Sequence, residues 1–167
     1  MSRVFLGLGS NIENRLEYLQ KTFQEISKQY NIISVSAIYE TEPIGETNQQ
    51  NFLNAVIEIE TDETPKQLFS FIKSVEKKIG RIERGKWQAR EIDIDILLFD
   101  NVVLDIPELT IPHKEMHNRK FVLQPASEIA GSIVHPVFKK SITRLSQECQ
   151  DNSIVQLTQY SFQSSSS

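Results

Sequence analysis

The sequence predicts an α+β fold in which the chain runs β-α-β-β-α-β. Three observations carry that expectation. Four short segments are apolar or alternate with period two, two longer segments between them carry apolar residues at helical spacing, and turn formers separate all six. A chain of 167 residues, 39% hydrophobic and 24% charged, is long enough for one domain with a full core.

Val4, Phe5, Leu6, Gly7 and Leu8 read as a buried strand. It stops at Gly9-Ser10-Asn11, a turn in which Ser10 or Asn11 can cap a helix. Gly7-Leu8-Gly9 has the first glycines of a dinucleotide-binding fingerprint, but Ile12 stands at the third position, so a tight strand-to-helix turn is the better reading. Leu16, Leu19, Phe23, Ile26 and Tyr30 form one helical stripe, which places a first helix over about 12–29. The alternating, β-branched segment 32–40 is a second strand. Residues 41–51 are polar and rich in turn formers, and a loop of that length in a compact domain commonly serves binding.

Residues 52–61 form the third strand, with Leu53, Ala55, Ile57 and Ile59 on one face and Phe52, Asn54, Val56 and Glu58 on the other. Phe52 beside Asn54 suits a flat heterocycle, one stacking and the other reading hydrogen bonds. Taken alone, a strand end with scattered polar residues is the simpler reading. Thr64 and Pro65 open a second helix as N-cap and first residue; Leu68, Phe71, Ile72, Val75 and Ile79 make its stripe, and Gly80 closes it. A second long connection, 81–91, has Trp87 near its centre.

The fourth strand follows. Ile92, Ile94 and Ile96 alternate with Asp93 and Asp95, so the aspartates share a face about 6.5–7 Å apart at Cα. Such a pair can reach one hard cation or one each of a close pair, with Mg²⁺ a natural partner. It can equally be the solvated face of an amphipathic strand, although Asp is disfavoured in strands. Seven basic residues (Lys73, Lys77, Lys78, Arg81, Arg84, Lys86 and Arg90) against Glu76 and Glu83 precede it. That excess suits a polyphosphate with its metal ions. Lysines and arginines near a helix C-terminus explain Lys77, Lys78 and Arg81 equally well, but not Arg84, Lys86 and Arg90 beyond it.

This order is the split-βαβ, ferredoxin-like arrangement: an antiparallel sheet with both helices on one face. The open face then carries Phe52, Asn54, Asp93 and Asp95 together. A C-terminal extension of short strands and helices follows, with an extended run at 109–113 and a last helix at 142–149. His113 and His117 are four apart but lack the zincin glutamate, so no zinc is expected, and His135 is expected to be structural or on the surface. One domain over 1–155 is expected, then a polar, Ser-rich tail over 156–167 that frays.

The net charge of −4 gives no global attraction to nucleic acid or anionic membrane. Cys149 is the single cysteine, and neither a signal peptide nor a membrane-length apolar run is present, so a reducing, cytoplasmic location is expected. An edge strand can pair between copies, but nothing demands it, and a monomer is expected.

Together these residues carry a family resemblance. Asp93-Ile94-Asp95-Ile96-Leu97 resembles the aspartate strand of the 6-hydroxymethyl-7,8-dihydropterin pyrophosphokinases of folate biosynthesis. Gly9-Ser10-Asn11 is similar to that family's opening turn, 39–45 to its first catalytic loop, Phe52-Leu53-Asn54-Ala55 to its pterin strand, and Gly80-Arg81 to its second loop. Pro112-His113, Met116, Asn118-Arg119 and Phe121 are similar to its late motif, with Leu123 and Pro125 following suitably. The resemblance implies transfer of pyrophosphate from ATP to the pterin hydroxymethyl group with release of AMP. It implies two Mg²⁺ ions on Asp93 and Asp95, and catalytic roles for these with Arg81 and Arg90. Thr41, Pro43, Ile44, Phe52, Asn54 and Phe121 would bind the pterin. Glu76, Arg84, Lys86, Trp87, Ile96, His113 and Arg119 would bind ATP. The second loop departs from the family pattern: Gln88-Ala89-Arg90 stands where Gly-Pro-Arg is usual, Lys86 where an arginine is common and Glu83 where a basic residue often stands, while Lys114 replaces a frequent aromatic. A non-catalytic ferredoxin-like module that binds a small ligand or regulates is the alternative, and an RNA-recognition domain ranks last because 56–59 lacks a basic-aromatic signature.

Overall fold

The alternation in 52–61 runs the full length of one strand, and the sheet is built around it. The computed structural model describes residues 1–43, 48–82, 84–85 and 88–163. In it β4 (Phe52–Thr61) lies antiparallel beside β1 (Ser2–Ser10), from Ser2 opposite Thr61 to Ser10 opposite Leu53. β5 (Asp93–Phe99) pairs with the other side of β1. The far side of β4 is shared between β2 (Asn31–Val35) and β3 (Tyr39–Thr41). The order β5-β1-β4-β2, all antiparallel, is the ferredoxin-like arrangement expected of this chain.

Helices α1 (Arg15–Gln29) and α2 (Pro65–Ile79) cover one face. Leu19, Ile26, Leu68 and Ile72 pack there with Leu6, Ile57, Ile59 and Ile94, all essentially inaccessible to solvent. Each such side chain stabilises the fold by roughly 1.5–3 kcal/mol. The ends of α2 are as expected: Thr64 and Gln67 form a reciprocal capping box, and Gly80 ends the helix in the left-handed region at φ 112°. α1 begins later than expected. Glu13 takes φ 53°, which no helix start accommodates, and the Asn11 side chain is engaged elsewhere.

The expected strand over 32–40 is two strands. Ser36 N–H still donates to the Val56 carbonyl at 2.9 Å, but its hydroxyl rather than a backbone carbonyl accepts the Val56 N–H, also at 2.9 Å, and the chain steps across before β3 begins. The face expected to be open is partly covered. After the hairpin β6 (Leu104–Ile106) and β7 (Leu109–Ile111), helices α3 (Lys120–Ala130) and α4 (Ile142–Glu148) pack Val122, Leu123, Ala126 and Ile142 against Phe5, Val56, Leu97 and Leu98. A register shift between Phe5 and Leu6 turns both Leu97 and Leu98 to that side. The C-terminal chain does not fray through Gln163. Residues of β8 (Val155–Leu157) pair with β3, Phe162 stacks on Phe23 at 4.7 Å, and Gln163 exchanges hydrogen bonds with Gln20. A polar segment can do this because the strand edge it joins offers backbone groups, not an apolar surface. Among the described residues, no helix is long and apolar enough to cross a membrane.

Candidate active site

The uncovered part of the second face is a cleft with about 930 Å³ of empty space, part of it open to solvent. Its floor follows from the strand register. On β1 the period of two turns Gly7 and Gly9 to this side. Gly9 lies between Asn54 of β4 and Asp93 of β5, and Gly7 between Val56 and Asp95. With strands about 4.8 Å apart, the amide of Asn54 and the carboxylate of Asp93 flank a bare strip roughly 10 Å across. The glycines are the strip. A Cβ at Gly9 would meet Asn54 Oδ1 at 2.9 Å and Phe52 Cδ1 at 3.5 Å.

At one end Asn54 Nδ2 donates to Thr41 Oγ1 at 2.8 Å, both residues being buried. Phe52 from β4 and Phe121 from the start of α3 line the same end, with the Arg119 guanidinium 5.8 Å from the Phe121 ring centre. At the other end Asp93 accepts from Arg90 at 2.9 Å and from Arg81 at 3.4 Å. Arg81 also donates to Glu76 at 2.8 Å. Glu76 reaches from α2 round the edge of β5 to accept the Ile94 N–H at 2.9 Å and Lys73 at 3.1 Å. It is buried and does not line the cleft.

The Asp95 side chain keeps 36% of its surface open to the cleft. Surrounding protein and the neighbouring Asp93 carboxylate raise its pKa above the usual carboxylate range. His113 is pushed down to about 4 by burial and by Arg119. Its Nδ1 accepts from Glu115 N–H at 3.1 Å, which leaves the proton on Nε2, 3.7 Å from Asp95 Oδ2.

The structure thus brings Thr41, Phe52, Asn54, Arg90, Asp93, Asp95, Arg119 and Phe121 into one lining, with Arg81 and His113 behind the aspartates. Others fall elsewhere. The Ile96 side chain points into the core under α1 and α2, as the strand period requires of a residue between Asp95 and Leu97. Pro43 is not among the lining residues, although its neighbour Glu42 is. Arg84 gives both guanidinium nitrogens to Glu91 at 2.8 and 2.6 Å. That pair, with the Ile82 N–H, holds the Glu91 carboxyl down at about 2. Ile44, Lys86 and Trp87 lie outside the described residues.

Asn11 does not cap α1, which starts after Asn14. Buried at the end of β1, it donates to Gln49 Oε1 at 2.8 Å and to the Gln50 carbonyl at 3.2 Å, and its Oδ1 accepts the Arg90 N–H at 2.7 Å. One side chain therefore ties both long loops to the sheet. The Gly9-Ser10-Asn11 turn marks the position but not this role, since its partners are 38, 39 and 79 residues away. The glycine strip was legible: Gly7 and Gly9 have the spacing of the aspartates.

A ferredoxin-like α+β fold, with carboxylates and arginines gathered at one end of a cleft and an amide with two aromatic rings at the other, defines a small-molecule enzyme. A profile described as 7,8-dihydro-6-hydroxymethylpterin-pyrophosphokinase (HPPK) matches residues 5–131, and the chain belongs to that family. It is 40% identical over 148 residues to the 2-amino-4-hydroxy-6-hydroxymethyldihydropteridine pyrophosphokinase of Aquifex aeolicus, covering 89% of this chain and 92% of the relative. The Haemophilus influenzae protein of the same name is 35% identical over 159 residues, covering 94% and 99%. Among solved structures, Plasmodium falciparum HPPK-DHPS superposes with a TM-score of 0.70 at 17% identity; the match covers 88% of this chain but only 44% of that one, and it shows the fold.

Proposed function

We propose that this chain transfers the pyrophosphoryl group of ATP to the hydroxymethyl group of 6-hydroxymethyl-7,8-dihydropterin in folate biosynthesis and releases AMP. It would do so as a cytoplasmic monomer acting on two small molecules. The observation that carries the reading is the row Asn54, Gly9, Asp93 across three strands, with Asp95 beside it.

The pterin lies over the glycine strip, between Phe52 and Phe121, with Asn54 and Thr41 reading its polar edge. A pair already bonded to each other is preset in direction, which lowers the ordering cost of binding. The triphosphate lies toward Asp93 and Asp95, with Arg90 and Arg119 near its oxygens. The pterin hydroxyl oxygen attacks the β-phosphorus and gives up its proton to solvent, the bond from that phosphorus to the oxygen bridging to the α-phosphorus breaks, and AMP departs carrying the released charge. Such a transfer depends on alignment and charge stabilisation more than on covalent chemistry.

Asp93 and Asp95 would hold Mg²⁺. The fit lies in their donor set: two oxygen ligands, one partly open to the cleft, whose mutual repulsion a cation relieves. Among the described residues no third His, Cys, Asp or Glu joins them in a metal cluster, so water and phosphate oxygens would complete the shell. When bound, Mg²⁺ would neutralise the polyphosphate and polarise the group being transferred. Glu76 and Arg81 keep Asp93 in place. Neutral His113 presents its Nε2–H toward Asp95, where a cationic imidazolium would compete for the carboxylate.

The test is ³¹P NMR of the protein with ATP, Mg²⁺ and the pterin. AMP together with a pterin diphosphate, absent when the pterin is left out, is the expected result; formation of ADP, or no reaction in folded protein, would overturn the proposal.

A further inference from the structure

The chain beyond α4 lies well past residue 131, where the family profile match ends, yet it touches both walls of the cleft. α3 has no side-chain cap of its own: its N-cap residue is Arg119, and the first helical N–H, of Lys120, would be an orphan. That N–H donates instead to Asp151 Oδ2 at 3.0 Å, from 31 residues downstream. Asp151 Oδ1 accepts the Ser153 N–H at 2.9 Å, which turns the chain toward β8. There Val155 stands opposite Thr41 in the sheet, and Thr158 N–H and Oγ1 both donate to the Ile38 carbonyl, at 3.0 and 2.8 Å.

The short run from Asp151 to Val155 thus spans the cleft from outside. One end holds the backbone between Arg119 and Phe121; the other holds the backbone of Thr41, whose hydroxyl sets Asn54. A carboxylate at a helix start is favoured by the helix dipole as well as by the hydrogen bond.

We infer that Asp151 is a positioning residue for the cleft, fixing the start of α3, and with it Phe121 and Arg119, relative to Thr41 and Asn54. The inference rests on the pterin reading proposed above, and its consequence is specific. Asp151 touches no substrate, but loss of its carboxylate widens the gap between the aromatic wall and the amide wall.

Three full-length variants test this. Asp151→Ala raises the KM for the pterin about fivefold, the factor expected from loss of one helix cap. Asp151→Asn, whose single amide oxygen can accept the Lys120 N–H but then sets its NH2 against the Ser153 N–H, restores part of the loss. Ile26→Val, a cavity in α1 under the opposite face of the sheet, lowers Tm but leaves that KM unchanged. A wild-type KM in Asp151→Ala, or an equal rise in Ile26→Val, would overturn the inference. Amide exchange reads the same point without turnover: Asp151→Ala speeds exchange at residues 120–123, and an unchanged rate there would also overturn it. Wild-type protein with no turnover would instead refute the pterin reading, while exchange still decides the placement.

Discussion

Asn11→Ala removes a side chain that joins both long loops to the sheet. The wild-type residue makes three side-chain hydrogen bonds, to Gln49, Gln50 and Arg90. Each contributes a net 0.5–1.5 kcal/mol or so, and unpaired buried groups cost more. Gln50 is exposed and its carbonyl regains water, so the sum falls toward the lower end, about 2 kcal/mol. That is roughly a 30-fold loss in the ratio of anchored to released loops. Steady-state kinetics should show kcat/KM for both substrates falling about tenfold or more, and limited proteolysis should cut faster within 41–51 and 81–91. Asn11→Asp separates the two anchors. Its carboxylate still accepts the Arg90 N–H but is set against the oxygens of Gln49 and Gln50, so it should expose only 41–51. Unchanged kinetics together with unchanged proteolysis in Asn11→Ala would refute the reasoning.

Asp95→Asn should cut kcat at least about a thousandfold, as expected for a group that stabilises developing charge, yet leave Tm equal or higher because a repelled carboxylate is removed; a clear drop in Tm or retained turnover would contradict this. Gly9→Ala should raise the KM for the pterin about tenfold with little loss of stability, because the new methyl displaces Asn54 from Thr41, and tight binding in that variant would show that the strip is not used. Acid should destabilise the fold in two stages. His113 and His135 have folded pKa values lowered by burial to about 4, so the stability they contribute is present above their unfolded value near 6.5 and is lost as pH falls through about 4. Glu91, lowered to about 2 by Arg84, adds a further loss below its ordinary range near 4.5. Asp95, raised in the fold, works in the opposite sense, its contribution being lost as pH rises above the usual carboxylate range. Urea melts at a series of pH values check the sum, and a flat profile between pH 6.5 and 4 would be inconsistent with buried neutral histidines.

What the amino-acid sequence determined by itself was everything governed by local period and end chemistry. The strand at 52–61, the capped helix from Pro65 to Ile79 and the alternation of Asp93 and Asp95 with isoleucine were legible because β and α periods sort side chains by face before any partner is chosen. The same rule placed Phe52, Asn54 and both aspartates on one side, and it would have placed Gly7 and Gly9 there too. Tertiary structure decided what those periods cannot express. Whether Asn11 caps a helix or pins two loops, and whether a polar tail frays or pairs with β3, depend on groups distant in the chain. Their hydrogen bonds form only after the sheet has brought the partners together, and a sequence pattern carries no record of a partner 79 residues away.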